Sequence, residues 1–247
     1  MIKDIESLSI GVEEEYQLID PNSGELTSYV TELLKDASLV SDNDVKPELL
    51  QSQIEIGSRV CDSIDDLEKD LSRLRLLIKK YANKQNLDFL AAGTHPFSHW
   101  KNQVVTDKTR YKGFMDSTQY VGKRMLIFGM HVHIGIKDED LRIDVMNQMR
   151  YFIPHIMALS SSSPFWQGAD TGFKSFRSII FEDLPRTGVP ELFRTYQEYL
   201  RYLKTLIESN SIDEPSKIWW DIRPHSNYPT LEFRMCDCCT SLRDAVS

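Results

Sequence analysis

Ile10-Gly11-Val12-Glu13-Glu14-Glu15-Tyr16-Gln17-Leu18-Ile19 is the stretch that decides the fold. Side chains of a strand alternate between its two faces. Glu13, Glu15 and Gln17 therefore share one face, and Val12, Tyr16 and Leu18 share the other. Glu14 falls on the apolar side, where it reads as an edge or bulge position.

Three further segments repeat the pattern. In Gln51-Ser52-Gln53-Ile54-Glu55-Ile56, Gln51, Gln53 and Glu55 oppose Ile54 and Ile56. In Gly129-Met130-His131-Val132-His133-Ile134-Gly135, both histidines oppose Met130, Val132 and Ile134. In Leu231-Glu232-Phe233-Arg234-Met235-Cys236, Glu232 and Arg234 oppose Leu231, Phe233 and Met235. The ordinary reading of one such strand is a half-buried strand with a solvated outer face. A solvent face, however, usually mixes Lys, Thr and Ser with its acids, and these positions hold Glu, Gln, His and Arg.

If the strands share one sheet, several carboxylates converge. Two unit charges ~4 Å apart repel by about 4 kcal/mol at an effective dielectric near 20. Such a cluster needs divalent cations, a bound cationic group or raised pKa values. Oxygen ligands with a minority of imidazole suit Mg²⁺ or Mn²⁺ better than zinc. Chemistry that uses several Mg²⁺ over a sheet floor is most often phosphoryl transfer from a nucleotide. Without the acids, His131 and His133 would read as a structural pair.

The rest of the chain sets the class. Its 247 residues carry a net charge of −8, with 41% hydrophobic and 27% charged residues. These are globular values for one large domain, 1–247. The negative charge disfavours nonspecific binding to nucleic acid or an anionic membrane. No apolar run reaches the ~18 residues of a membrane span, and residues 1–6 lack the basic and apolar parts of a signal peptide. Cys61, Cys236, Cys238 and Cys239 are too few and too poorly spaced for a disulfide framework or a zinc knuckle. They read as free thiols of a reducing cytoplasm.

Apolar steps of three and four predict a helix over 63–86, opened by Ser63 with Asp66 in a variant capping box. A second helix is expected over 141–160, kinked or broken at Pro154, and a third over 190–209, opened by Pro190. Alternating segments at 10–19, 49–60, 124–136, 218–223 and 230–237 lack regular intervening helices, which favours an α+β fold. Thr240 or Ser241 caps a helix that the chain barely begins, so the chain reads as C-terminally truncated. Gly168-Ala169-Asp170-Thr171-Gly172-Phe173-Lys174-Ser175 approaches a phosphate loop, but Phe173 stands where that loop needs its second glycine, and the stretch reads as a turn. His95, His99, His155 and His225 read as structural or surface histidines. Arg177 and Arg186 lie in a Gly/Pro/Ser-rich region, where a loop arginine can clamp an anion.

The sequence resembles the carboxylate–amine ligases of the type-2 glutamate–cysteine ligase family, within the glutamine-synthetase-like superfold. The resemblance rests on residues 11–16, 92–97, 128–133, 162–166, 185–188, 220–224 and 230–234, in family order. It implies a curved, mainly antiparallel sheet with helices packed on one side, a catalytic fold shared with the guanidino kinases. It implies metal glutamates at Glu13, Glu15, Glu55 and Glu232, a metal histidine at His131, and a weaker acidic position at Glu48. Arg234, joined by Arg177, is the candidate catalytic arginine facing the phosphoryl group; Arg223 and Arg186 are candidates for the nucleotide.

The implied reaction uses ATP with Mg²⁺ or Mn²⁺. A substrate carboxylate, glutamate in the best-known case, forms an acyl phosphate that an amine, there cysteine, converts to an amide. A homodimer is a family-level expectation. A guanidino-kinase-like phosphotransferase and a non-catalytic ligand-binding relative are the rival readings.

Overall fold

The computed structural model describes residues 8–35 and 44–247; residues 1–6, read above for a signal peptide, lie outside the described residues. The main strands are β1 (Ile10–Ile19), β2 (Val45–Pro47), β3 (Gln53–Gly57), β4 (Asp88–Leu90), β5 (Gly129–Gly135), β6 (Ile222–Pro224) and β7 (Thr230–Asp237). They form one seven-stranded sheet in the order β6-β7-β5-β1-β3-β2, with β4 also paired to β1. Every pairing in it is antiparallel. The expected α+β class with a mainly antiparallel sheet is what the chain forms.

The longer helices are α1 (Ile64–Lys84), α2 (Thr109–Thr118), α3 (Glu139–Met149), α4 (Ile153–Ser160), α5 (Phe176–Phe181) and α6 (Tyr196–Glu208). Helix α1 begins where its sequence says it should: the Ser63 side chain accepts from the Asp66 N–H, and Asp65 and Asp66 complement the helix dipole. Its stripe Leu67, Leu71, Leu74, Ile78 and Tyr81 is buried in one core with Val12, Tyr16, Ile54, Ile56, Met130 and Leu231. Those are the apolar faces of β1, β3, β5 and β7. Helices thus cover one side of the sheet, and the polar side chains at alternate positions face the other way.

Several expectations shift. The predicted 141–160 helix is two helices joined by a 3-10 turn at Arg150–Phe152, and Pro154 opens α4, where its missing N–H costs nothing. The third helix starts at Tyr196 rather than at Pro190, because the Thr195 hydroxyl caps it by accepting from the Glu198 N–H. The 218–223 segment divides. Trp219–Trp220 joins Thr187–Gly188 in a small parallel ladder, and only Ile222–Pro224 enters the main sheet. The 49–60 segment keeps only Gln53–Gly57 as its strand, so Gln51 lies in the turn before it. The helix expected at the end of the chain forms as Leu242–Ala245, with Ser241 as its cap.

Glu14 is neither at an edge nor at a bulge. It sits mid-sheet, paired with both Ile56 and Met130, and is wholly buried on the helix side. Arg75 of α1 reaches it with two nitrogens, and the Tyr16 hydroxyl donates to it. Arg75 also donates to the carbonyls of Cys239 and Thr240. A buried carboxylate needs such a partner; here the partner also ties α1 to the chain beyond β7.

Candidate functional site

Strand register builds the site row by row. Glu13 lies across from His131, Glu15 across from Glu55, Glu232 across from His133, and Arg223 across from Glu232. Register therefore places Glu13, Glu15, Glu55, His131 and Glu232 on one sheet face, and Arg234 joins them through its ion pair with Glu232.

Around Glu13 the groups meet closely. One Glu13 oxygen is 3.3 Å from His131 Nδ1 and 3.6 Å from His133 Nε2. His131 Nδ1 is also 4.0 Å from a Glu232 oxygen. Glu232 is 1% exposed and is held by Arg223 Nε at 2.7 Å and by Arg234. Burial, and then the adjacent Arg234 charge, pull His131 down to about 4, so it is neutral at neutral pH. Burial would raise Glu232, but Arg234 and Arg223 outweigh it and hold it below the usual carboxylate range. Burial is likewise outweighed at Glu13, where the His131 hydrogen bond and the neighbouring His133 ring hold the carboxylate in its ionised form, below its usual range. With His131 neutral, its Nδ1 hydrogen bond rather than a full imidazolium charge holds the Glu13 anion.

The second group lies along the β1–β3 ladder. Burial first, then repulsion from Glu48, raises Glu15 to about 7. The same two causes, with Glu13 and Glu15 added, push Glu55 well above its usual range. Glu48 thus belongs to this group despite its opposite parity, because it lies in the irregular link between β2 and β3, where pleat alternation does not bind it. Lys46, 3.8 Å from Glu55, offsets part of the repulsion. Glu15 also accepts the Gly129 N–H.

A divalent cation fits the first group. Ligand atoms of Glu13, His133 and Glu232 all lie within 4.8 Å of one another, and His133 Nε2 is buried with no hydrogen-bond partner. Its Nδ1 is occupied by the Thr230 hydroxyl at 3.1 Å. With the proton on Nδ1, donated to Thr230, Nε2 would offer its lone pair beside an ionised carboxylate, the donor set that a metal completes. Parity puts His133 on this face, but nothing in the sequence shows which of its nitrogens is left free. The His225 ring packs against His133 at 5.3 Å and stacks on the exposed Tyr228 at 4.8 Å, in keeping with a structural histidine.

The arginines divide. Arg234 and Arg223 join the cluster through Glu232. Arg186 does not: its Nε donates to the Lys217 carbonyl at 2.9 Å, and its guanidinium lies over the Trp219 ring. Arg177 is buried beside the cluster, but its two terminal nitrogens donate to the Met235 and Arg234 carbonyls. Among the described residues no helix is long and apolar enough to cross a membrane. All four cysteines are buried and unpaired.

Comparison with known proteins agrees with the geometry. Residues 9–247 match glutamate-cysteine ligase family 2. A Herpetosiphon aurantiacus protein with the provisional name glutamate–cysteine ligase 2 is 47% identical over 238 residues, 96% of this chain and 62% of that protein. The chain thus spans about three fifths of the length of the curated relatives it matches. Among solved structures, a bifunctional glutathione synthetase from Pasteurella multocida superposes with TM-score 0.75 at 15% identity, over 96% of this chain and 37% of that one. A glutamate–cysteine ligase from Francisella tularensis in complex with AMP gives TM-score 0.69 at 15% identity, over 94% of this chain and 61% of that one. At such identities the two structures speak for the fold alone.

Proposed function

The chain belongs to glutamate-cysteine ligase family 2, and on that premise we propose that it carries the metal and phosphoryl-transfer floor of an ATP-dependent carboxylate–amine ligase. The observation that carries this reading is the carboxylate–imidazole cluster, with Glu13, His133 and Glu232 drawn together around an unpartnered nitrogen. Glu13, Glu232 and His133, with His131 beside them, would hold one divalent cation; Glu15, Glu55 and Glu48 would hold a second. Mg²⁺ or Mn²⁺ at these positions would offset charge on the phosphates of ATP.

The chain's own groups then have distinct tasks. Glu232 is fixed between Arg223 and Arg234, so its oxygens cannot swing away. Arg234 keeps a buried Nε without a partner, a donor available to a transferring phosphoryl oxygen. Neutral His131 contributes no competing positive charge beside the ligands. In the reaction, a substrate carboxylate oxygen attacks the γ-phosphorus and ADP leaves, giving an acyl phosphate. An amine then attacks the acyl carbon and inorganic phosphate leaves.

Glutamate as the carboxylate and cysteine as the amine are the substrates that the relatives' names support. Release of ADP from ATP and Mg²⁺ that needs both glutamate and cysteine is the expected result. The reading fails if Glu13→Gln turns over as fast as the parent, or if the product is an N-phosphoryl compound, which would belong to a guanidino kinase.

A further inference from the structure

Strand β7 is not regular. Phe233 pairs with Val132 and Cys236 with Met130, so Arg234 and Met235 together oppose His131 alone. This is a β-bulge, which bends a strand and re-aims the side chain it carries. A bulge also leaves backbone carbonyls without ladder partners, and buried carbonyls need donors. Here the donor is Arg177: its guanidinium, 3% exposed, reaches the Arg234 carbonyl at 3.2 Å and the Met235 carbonyl at 3.3 Å.

Arg177 is itself held from behind. Its backbone N–H donates to Ser163 Oγ at 3.1 Å, and Ser163 Oγ donates to Asp237 at 2.6 Å. Asp237, the last residue of β7, is 1% exposed and also accepts from the Ser162 N–H and the Ser175 hydroxyl, each at 2.8 Å. One strand end therefore fastens both ends of the 162–177 segment, and that segment returns an arginine to the bulge three residues earlier. Two glycines make room for the loop. A Cβ on Gly93 would stand 2.5 Å from Asp237 Cγ, and one on Gly129 would collide with the Arg177 guanidinium.

We propose that Arg177 is a positioning residue that holds the β7 bulge, and with it the aim of the Arg234 side chain onto Glu232, and that Asp237 sets Arg177 through Ser163. This deepens the ligase reading and gives Arg177 the part of a brace. Both terminal nitrogens of Arg177 are spent on carbonyls, with only its buried Nε left without a partner, whereas Arg234 reaches Glu232.

The test compares the parent with Ser163→Ala, Ser163→Thr and Asp237→Asn, using ¹⁵N–¹H spectra of the arginine Nε–Hε groups and backbone amide exchange. Arg234→Lys assigns the Arg234 resonance. In Ser163→Ala the Arg177 backbone amide should exchange at least tenfold faster, and the Arg234 Nε–Hε resonance should move, while melting stays within a few degrees. Ser163→Thr, which keeps the hydroxyl, should restore both. Fast exchange at Arg177 with the Arg234 resonance unmoved would overturn the proposal, leaving a loop anchor only. Ser163→Ala decides the matter if Asp237→Asn fails to fold. The resonances are read without metal or nucleotide, so failure of the ligase reading leaves this test intact.

Discussion

Glu15 and Glu55 stand directly across from each other on adjacent antiparallel strands, on the same face of the sheet. Like charges at that position ordinarily destabilise a strand pair by roughly 0.2–1 kcal/mol. Burial and Glu48 sharpen the conflict, and Lys46 relieves only part of it. Such an arrangement is what the proposed second cation would relieve.

Glu55→Gln should therefore stabilise the metal-free protein. Removing the cost of burying and protonating this carboxyl beside Glu15 is expected to contribute about 1 kcal/mol, or roughly 2–4 °C in melting temperature for a domain of this size. The same substitution should abolish most of the rise in melting temperature that millimolar Mn²⁺ gives the parent. Paired thermal melts with and without Mn²⁺ read both effects.

Glu15 gives a pH signature. Its ordinary value is 4.5, and folding raises it to about 7. The folded state thus holds a proton that the unfolded state has lost, and its contribution to stability declines as pH rises from 4.5 to about 7. A bound cation must displace that proton. Mn²⁺ binding should accordingly tighten with pH through this window and release protons, which calorimetry in buffers of different ionisation enthalpy measures. Glu15→Gln should flatten the dependence.

Most of this floor is legible from the sequence because the pleat has a period of two, and Glu13, Glu15, Glu55, His131 and Glu232 obey it. What escapes is non-periodic. Glu14 breaks parity because its partner Arg75 lies 61 residues away on a helix, a tertiary fact that no local pattern carries. The β7 bulge depends on Arg177, and the opening of α6 depends on the Thr195 cap overriding Pro190. Glu48 joins the acids from the irregular link after β2, where alternation has no force.

The Glu14–Arg75 pair makes a separate stability prediction. Arg75→Leu leaves a buried carboxylate unpaired and should cost about 3–5 kcal/mol. The double variant Glu14→Leu/Arg75→Leu should recover much of that loss, since the stranded charge is gone. Urea denaturation of Arg75→Leu, Glu14→Leu, the double variant and the parent closes the cycle.

Acid should loosen the start of α1. At Asp70 burial is outweighed by hydrogen bonds from Arg73 and Arg59, and its pKa falls from 3.8 to about 2. A depressed carboxylate contributes stability above its unfolded value and loses it as pH falls through the folded one. The loss should run from about pH 4 to about pH 2, and Asp70→Asn should remove that part of the acid transition followed by circular dichroism.

The central claim is that Glu13, His133 and Glu232 bind a divalent cation. Mn²⁺ titration followed by electron paramagnetic resonance tests it on the parent, Glu13→Gln and His133→Ala. The account predicts Mn²⁺ bound by the parent, with affinity reduced at least tenfold in each variant while melting temperatures stay close. Equal binding by all three proteins would contradict it.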